Sequence, residues 1–424
     1  MDTRCRIHKR ERGATAIQIL VIMVPVVFAF LGFAIDLGIL YSMKGELKSG
    51  ANAMALAAAD QLLGTDASAG AATLAAQATV ETASGFGNKY YFDGRPIGAN
   101  SGTLVSTVTG PNFYASLADA LASNASTGSE AGGADGRHVR VTLTGQTQLL
   151  FWSFIPIVSD RTVSVAATAV AGISPPLCEA CAIEPYAVAA VNPSDTTDFG
   201  FVPGTQYSFT FYCTGTQPGL LPESSVELPY LLLNRLDPNA VVFPDEASQI
   251  FRDAAGGLPG STNTALACFE VGNTEVIWAS AIPEACFPSA VPAVVTEALC
   301  GLDTRFESTP QSVCDGIPGI DTLATIYPPD TDVNEYDTYT DYAGDGRRIL
   351  TIPVVDALNP SSTMTVLGFR QFLLMPAEGA VDLNASDTFG RFVAMYIGSV
   401  APVKQGRFDG CEQSAGPGKV VLQQ

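Results

Sequence analysis

Twenty-two consecutive residues, Ala14 to Ile35, carry no charge, and their only polar side chains are Thr15 and Gln18. At about 1.5 Å per residue, a helix of that length covers a hydrocarbon layer roughly 30 Å thick. Pro25 and Gly32 are costly in a soluble helix and ordinary in a membrane span. A cleaved secretory signal also begins with basic residues, and Ala51 and Ala53 offer small residues for a cleavage site. Its apolar core, however, runs to only about 7–15 residues, well short of this stretch. The segment therefore reads as a single membrane-spanning helix.

Charge orients that helix. Arg4, Arg6, Lys9, Arg10 and Arg12 precede it against Asp2 and Glu11, while Lys44 and Lys48 follow it with Glu46 between them. The excess of cations on the N-terminal side predicts a cytoplasmic tail over residues 1–13 and a body outside the cytoplasm, in the periplasm or beyond the cell. With +3 at the start and −20 overall, the rest of the chain carries −23. Such an acidic body repels phosphate backbones, so nucleic acid is not expected as a partner. Past the span, residues 36–63 contain no proline. Ile39, Leu40, Met43, Leu47, Met54 and Leu56 give an apolar face, and a run of alanines gives a smooth one. This predicts that the helix continues as an Ala-rich extension, packed either on a second helix or on its own domain.

Nine cysteines are placed unevenly. Cys5 precedes the span, whereas Cys178, Cys181, Cys213, Cys268, Cys286, Cys300, Cys314 and Cys411 all follow residue 177. An even set in a segment outside the cytoplasm reads as a disulfide framework, with Cys5 the one free thiol. Zinc is the competing reading for Cys178-Glu-Ala-Cys181. The chain has no second pair at ligand spacing, and His8 and His138 are its only histidines.

Three segments carry a family likeness. Arg12-Gly-Ala-Thr-Ala-Ile17, then Ala34-Ile-Asp-Leu-Gly-Ile-Leu-Tyr41, then Leu47-Lys-Ser-Gly-Ala-Asn-Ala-Met-Ala-Leu-Ala-Ala-Ala59 follow one another around the apolar span. In this order they resemble the N-terminal module of TadE/TadG-like Flp (tight adherence) pilus-assembly proteins. Val139 to Leu143, the Phe151-Trp-Ser-Phe-Ile-Pro156 segment and Val163 to Gly172 look like the strand pairs that follow the helix in the TadG type, so the likeness spans residues 12 to about 172. The resemblance implies an envelope-anchored part of a pilus or secretion apparatus. A prepilin-type leader would end at Gly13 and be cut before Ala14. Gln18 stands where a polymerising pilin carries the Glu that pairs with a neighbouring subunit's amine. That departure implies an accessory subunit.

The body divides in two. Residues 64–173 are rich in Gly, Ala, Ser and Thr, with helical patches at Ala71–Thr82 and Tyr114–Ala122, turn signals at Gly85-Phe-Gly87 and Gly132-Gly133, and alternating strands at Val139–Leu143 and Thr162–Ala166. They predict a small α+β domain. Ser174-Pro175-Pro176 breaks the chain, and residues 177–424 hold 21 of the 27 prolines with short β-prone runs at Tyr207–Tyr212, Ala240–Phe243, Ile349–Val355 and Phe392–Ile397. They predict a β-rich, disulfide-stapled domain, with residues 268–314 as a loop-rich insert. The fold class is thus α+β behind a transmembrane helix.

Chemistry is sparse. His138 is the only imidazole after the span, and the chain has no Gly-x-Ser-x-Gly, His-Glu-x-x-His or Gly-x-x-x-x-Gly-Lys pattern. No catalytic residue or cofactor is assigned, and the chain is not expected to be an enzyme. A weak calcium candidate is Asp330, Asp332, Asn334 and Asp341, at loop positions 1, 3, 5 and 12. Glu335 occupies position 6, where the turn needs Gly, and Asp341 is shorter than the usual bidentate Glu. Asp66-Ala-Ser-Ala-Gly70 lacks the last serine of a von Willebrand-type metal motif and is not assigned. The expected function is a membrane-anchored structural subunit of a Tad-type pilus or secretion apparatus in the inner membrane, with pilus-assembly or secretion proteins as partners. Its rivals are an anchored adhesion module, calcium-dependent in one form, and an exported hydrolase.

Overall fold

The computed structural model describes residues 12–79, 96–97, 102–103, 105–122, 131–149, 151, 162–212, 225–234, 244–257, 268–277, 293–307, 309, 311–333, 336–360, 362–376 and 390–423. Two compact units emerge from the contacts: Met1–Ala55 with Ala76–Asn112 and Arg140–Ala169, and Leu56–Ala75 with Phe113–Val139 and Val170–Gln424.

The first unit is dominated by α1 (Arg12–Asp60), 49 residues long. It contains a segment long and apolar enough to cross a membrane. Large apolar side chains from Ile17 to Ile35 are exposed, from Phe30 at 71% to Val24 at 43%. Burial begins beyond them, with Met43, Leu47 and Ala51 one turn apart along one face. Two close approaches rest on glycine. The Phe151 ring lies where a Cβ on Gly32 would sit, and the Met43 Cε would be 2.4 Å from a Cβ on Gly145. Asp36 is buried at the end of the apolar segment, where both carboxylate oxygens accept the Phe151 N–H, at 3.1 and 3.2 Å. Lys48 donates to the Thr168 carbonyl at 3.2 Å.

Three strands run in the order β5-β4-β3, where β3 is Val105–Tyr114, β4 His138–Gln148 and β5 Thr162–Ile173; a two-residue pair, β1 (Pro96–Ile97) and β2 (Gly102–Thr103), precedes them. Val139, Val141 and Leu143 are fully buried while Arg140, Thr142 and Thr144 are not, the period of two that the sequence implies. The helical patches shift. α2 covers Ser68–Ala78, and Tyr114 belongs to β3. Helix α3 (Leu117–Leu121) starts only after Ser116, which has extended φ/ψ and a side chain that accepts the Asp119 N–H at 3.1 Å, so an N-cap rather than the apolar pattern sets the boundary. Gly85-Phe-Gly87, Thr82 and Ala240–Phe243 lie outside the described residues.

The larger unit is built on β7 (Tyr186–Ala189), β8 (Gln206–Phe211), β9 (Val226–Leu232), β12 (Ile349–Val355), β13 (Met364–Leu374) and β14 (Phe392–Gly398). Their pairing order is β13-β12-β7-β9-β8-β14, and β14 also pairs with β13, which closes the cycle. Closure leaves these strands without a long free edge. The β7–β12 and β8–β9 pairs are parallel and the others antiparallel. Every residue of β12 is buried. Phe201, Tyr207, Phe209, Tyr230, Phe372, Phe392 and Tyr396 form one aromatic core, where Phe209 stacks on Phe392 at 4.4 Å between centroids.

Helices α4 (Pro244–Ala255) and α5 (Ala293–Asp303) close over that core through Phe251, Val295 and Leu299. Within the stretch expected as a loop-rich insert, Ala293–Asp303 is helical. Val294, Val295, Ala298, Leu299 and Leu302 are buried at helical spacing, an amphipathic period that the flanking cysteines and prolines obscured. Helix α6 (Ile320–Ile326) follows. A small sheet sets β6 (Glu179–Cys181) between β10 (Cys268–Glu270) and β15 (Gln405–Arg407). Strand β11 (Thr274–Glu275) pairs with β13, and β16 (Val420–Leu422) with Ala171–Ile173.

Candidate functional site

The described cysteines are oxidised in pairs: Cys178–Cys411, Cys181–Cys268 and Cys300–Cys314, separated by 233, 87 and 14 residues. Cys178 and Cys181 therefore take different partners. Strand register explains one choice, because Cys181 lies opposite Cys268 in the β6–β10 pair. Glu179, Cys181 and Cys268 do bring potential ligand atoms within 4.8 Å of one another, but the two sulfurs are bonded to each other and offer no thiolate. Cys213 and Cys286 lie outside the described residues. In the chain-entropy picture the 14-residue closure contributes about 3 kcal/mol and the 233-residue one about 5. Thiol labelling of the denatured, unreduced protein should leave these six cysteines unmodified; label on any of them overturns that pair.

The acidic loop is held by its own hydrogen bonds. Asp330 is 3% exposed; its carboxylate accepts the Asp332 N–H at 3.0 Å and the Tyr342 hydroxyl. Burial raises the Asp330 carboxyl above the ordinary range, opposed by the bonds from Tyr342 and Asp332. Asp332 accepts the Ala343 N–H at 2.7 Å, and Asp341 the Thr338 hydroxyl at 3.4 Å. Asn334 is outside the described residues. The carboxylates of Asp330, Asp332 and Asp341 do not converge as a trio within 4.8 Å, and the ring of Tyr342, whose hydroxyl donates to Asp330, lies 5.6 Å from the Arg348 guanidinium. Gly13 and Ala14 fall in the first turn of α1.

A cleft of about 350 Å³ opens in the larger unit, within the size range of small-ligand sites. One wall is a buried ion pair, Arg305–Glu184. Arg305 also donates to the carbonyls of Ala255, Arg347 and Ile349, and the other Glu184 oxygen accepts the Thr351 N–H at 2.7 Å. Both charges are thus fixed by backbone as well as by each other. Arg347 and Lys404 lie 5.3 and 5.8 Å from the centroid of the Tyr327 ring. Arg347 donates to the Gly256 and Thr304 carbonyls, while its buried Nε has no hydrogen-bond partner among the described residues. Burial, then the neighbouring Arg305 charge, lower the Arg347 guanidinium to about 10. Leu63, Ile183, Ile349 and Val403 supply apolar surface, and Asp60 and Asp345 add carboxylates.

This cleft is not legible in the sequence. Its charged residues are scattered from Asp60 to Lys404 and match no motif; the Arg347-Arg348 pair in an acidic segment was the one local signal. No family model, curated protein or solved structure matches the chain.

Proposed function

We propose that the chain is a membrane-anchored accessory subunit of a Tad-type (Flp) pilus or secretion apparatus. In this reading the N-terminus is cytoplasmic, α1 crosses the inner membrane, and the disulfide-bonded unit lies outside the cytoplasm. The observation that carries it is α1 itself. A basic start leads into an exposed apolar segment, and the same unbroken helix then becomes buried from Met43 onward. The three disulfides support an oxidising compartment for the larger unit. The likeness of residues 12–59 to the pilus-assembly module supplies the apparatus. The cleft favours a second reading, an anchored binding module.

Gln18 provides the test. A carboxylate at this depth costs about 2.5–3.5 kcal/mol on insertion scales unless it is paired. Gln18→Glu should therefore lower the membrane level of an accessory subunit. Both forms are expressed beside intact pilus machinery, and membrane fractions and sheared filaments are quantified. Co-purification of the native chain with the machinery, in minor amounts, is the expected result. If it is the main filament component, or if Gln18→Glu raises its filament yield, the chain is a pilin. If it co-purifies with none of the machinery and binds a surface alone, the binding-module reading replaces this one.

A further inference from the structure

Between residues 177 and 424 the sequence holds thirty acidic and ten basic residues, and three of those ten, Arg305, Arg347 and Lys404, meet at one cleft. Arg305 is neutralised by Glu184. Arg347 and Lys404 make no salt bridge within 4 Å among the described residues, although both lie against the Tyr327 ring. Like charges have been brought together there, with Asp60 and Asp345 as the nearest opposite charges outside ion-pair distance. Two adjacent cations without an ion pair within 4 Å are what an anionic group satisfies. The backbone adds a second, independent sign. Ala182 on the cleft wall has φ 56°, one of two described non-glycine residues with positive φ, and strain of this kind gathers at ligand-binding positions.

We propose that this cleft binds a monocarboxylate bearing a short aliphatic group, its carboxylate placed between Arg347 and Lys404 and its apolar part against Leu63, Ile183, Ile349 and Val403. Asp60 and Asp345 set the charge limit. The lining carries three cations (Arg305, Arg347 and Lys404) and three carboxylates (Asp60, Glu184 and Asp345), so each further negative charge on a ligand is opposed, and a monoanion is favoured over a dianionic phosphate. The volume suits the last residues of a peptide or a free branched organic acid. Both present the same chemistry. The inference does not depend on the pilus reading.

The experiment is calorimetry on the full chain in lipid nanodiscs. The probes are N-acetyl-alanyl-leucine with a free carboxylate, the same dipeptide as its C-terminal amide, and isovalerate. The free acid should bind in the sub-millimolar range and the amide about tenfold or more weaker, as expected for loss of a charge-assisted pair. Lys404→Gln should weaken the acid about tenfold, and Arg347→Gln at least as much. Arg407→Gln, at an exposed ion pair with Glu179 and Glu270, should change nothing. Arg347→Gln also loses bonds to two carbonyls and can unfold. Lys404, exposed and without a hydrogen bond among the described residues, keeps the test decisive. Tighter binding of the dipeptide than of isovalerate assigns a chain terminus, and the reverse a free acid. Equal binding of acid and amide, no binding of either acid, or an unchanged Lys404→Gln overturns the proposal.

Discussion

Arg305→Met should destabilise the larger unit by about 3–5 kcal/mol, because it strands the Glu184 carboxylate in a buried site. The same substitution leaves the Ala255 and Ile349 carbonyls without this donor. For a unit of this size, each kcal/mol shifts the melting temperature by roughly 2–4 °C, so a fall of about 10 °C is expected. Thermal unfolding of the purified, oxidised protein measures it. The double variant Arg305→Met with Glu184→Met should recover much of the loss, since well-packed apolar residues replace a buried pair at little net cost. If the single variant melts within a degree of the native protein, the pair does not hold the cleft wall.

Phe372→Ala should cost a similar amount, about 3–5 kcal/mol, through a cavity at the centre of the aromatic core. The Phe372 ring is fully buried on β13, within 5.2–6.1 Å of the rings of Phe201, Tyr207, Phe209 and Tyr396. Those contacts come from β8, β14 and the turn before β8, so one truncation loosens three segments at once. Denaturant unfolding should show a lower midpoint with an unchanged slope. Phe372→Leu should lose less, and Ile326→Ala, at an exposed position, should stay within about 0.5 kcal/mol. Equal effects at residues 372 and 326 would remove the central role given to this ring.

Local patterns determined the features that depend on local physics. The uncharged run Ala14–Ile35 determines an apolar helix whatever surrounds it, because its length and composition alone meet the requirement. The alternation at Val139–Leu143 and the run Ile349–Val355 determine strands for the same reason. Eight cysteines after residue 177 suggested bridges but not partners, and only the β6–β10 register set Cys181 against Cys268 instead of Cys178. The helix at Ala293–Asp303 was legible in its period and hidden by its punctuation. Closure of the strand cycle was not legible at all, since β14 joins β8 and β12 joins β7 through pairings that no local window contains. The cleft belongs to the same class. Glu184, Arg305, Arg347 and Lys404 lie tens to hundreds of residues apart, and only the packing of strands, helices and turns gives them a common wall. Hydropathy and periodicity are properties of a chain segment, whereas a charge left without a partner exists only once the chain has folded around it.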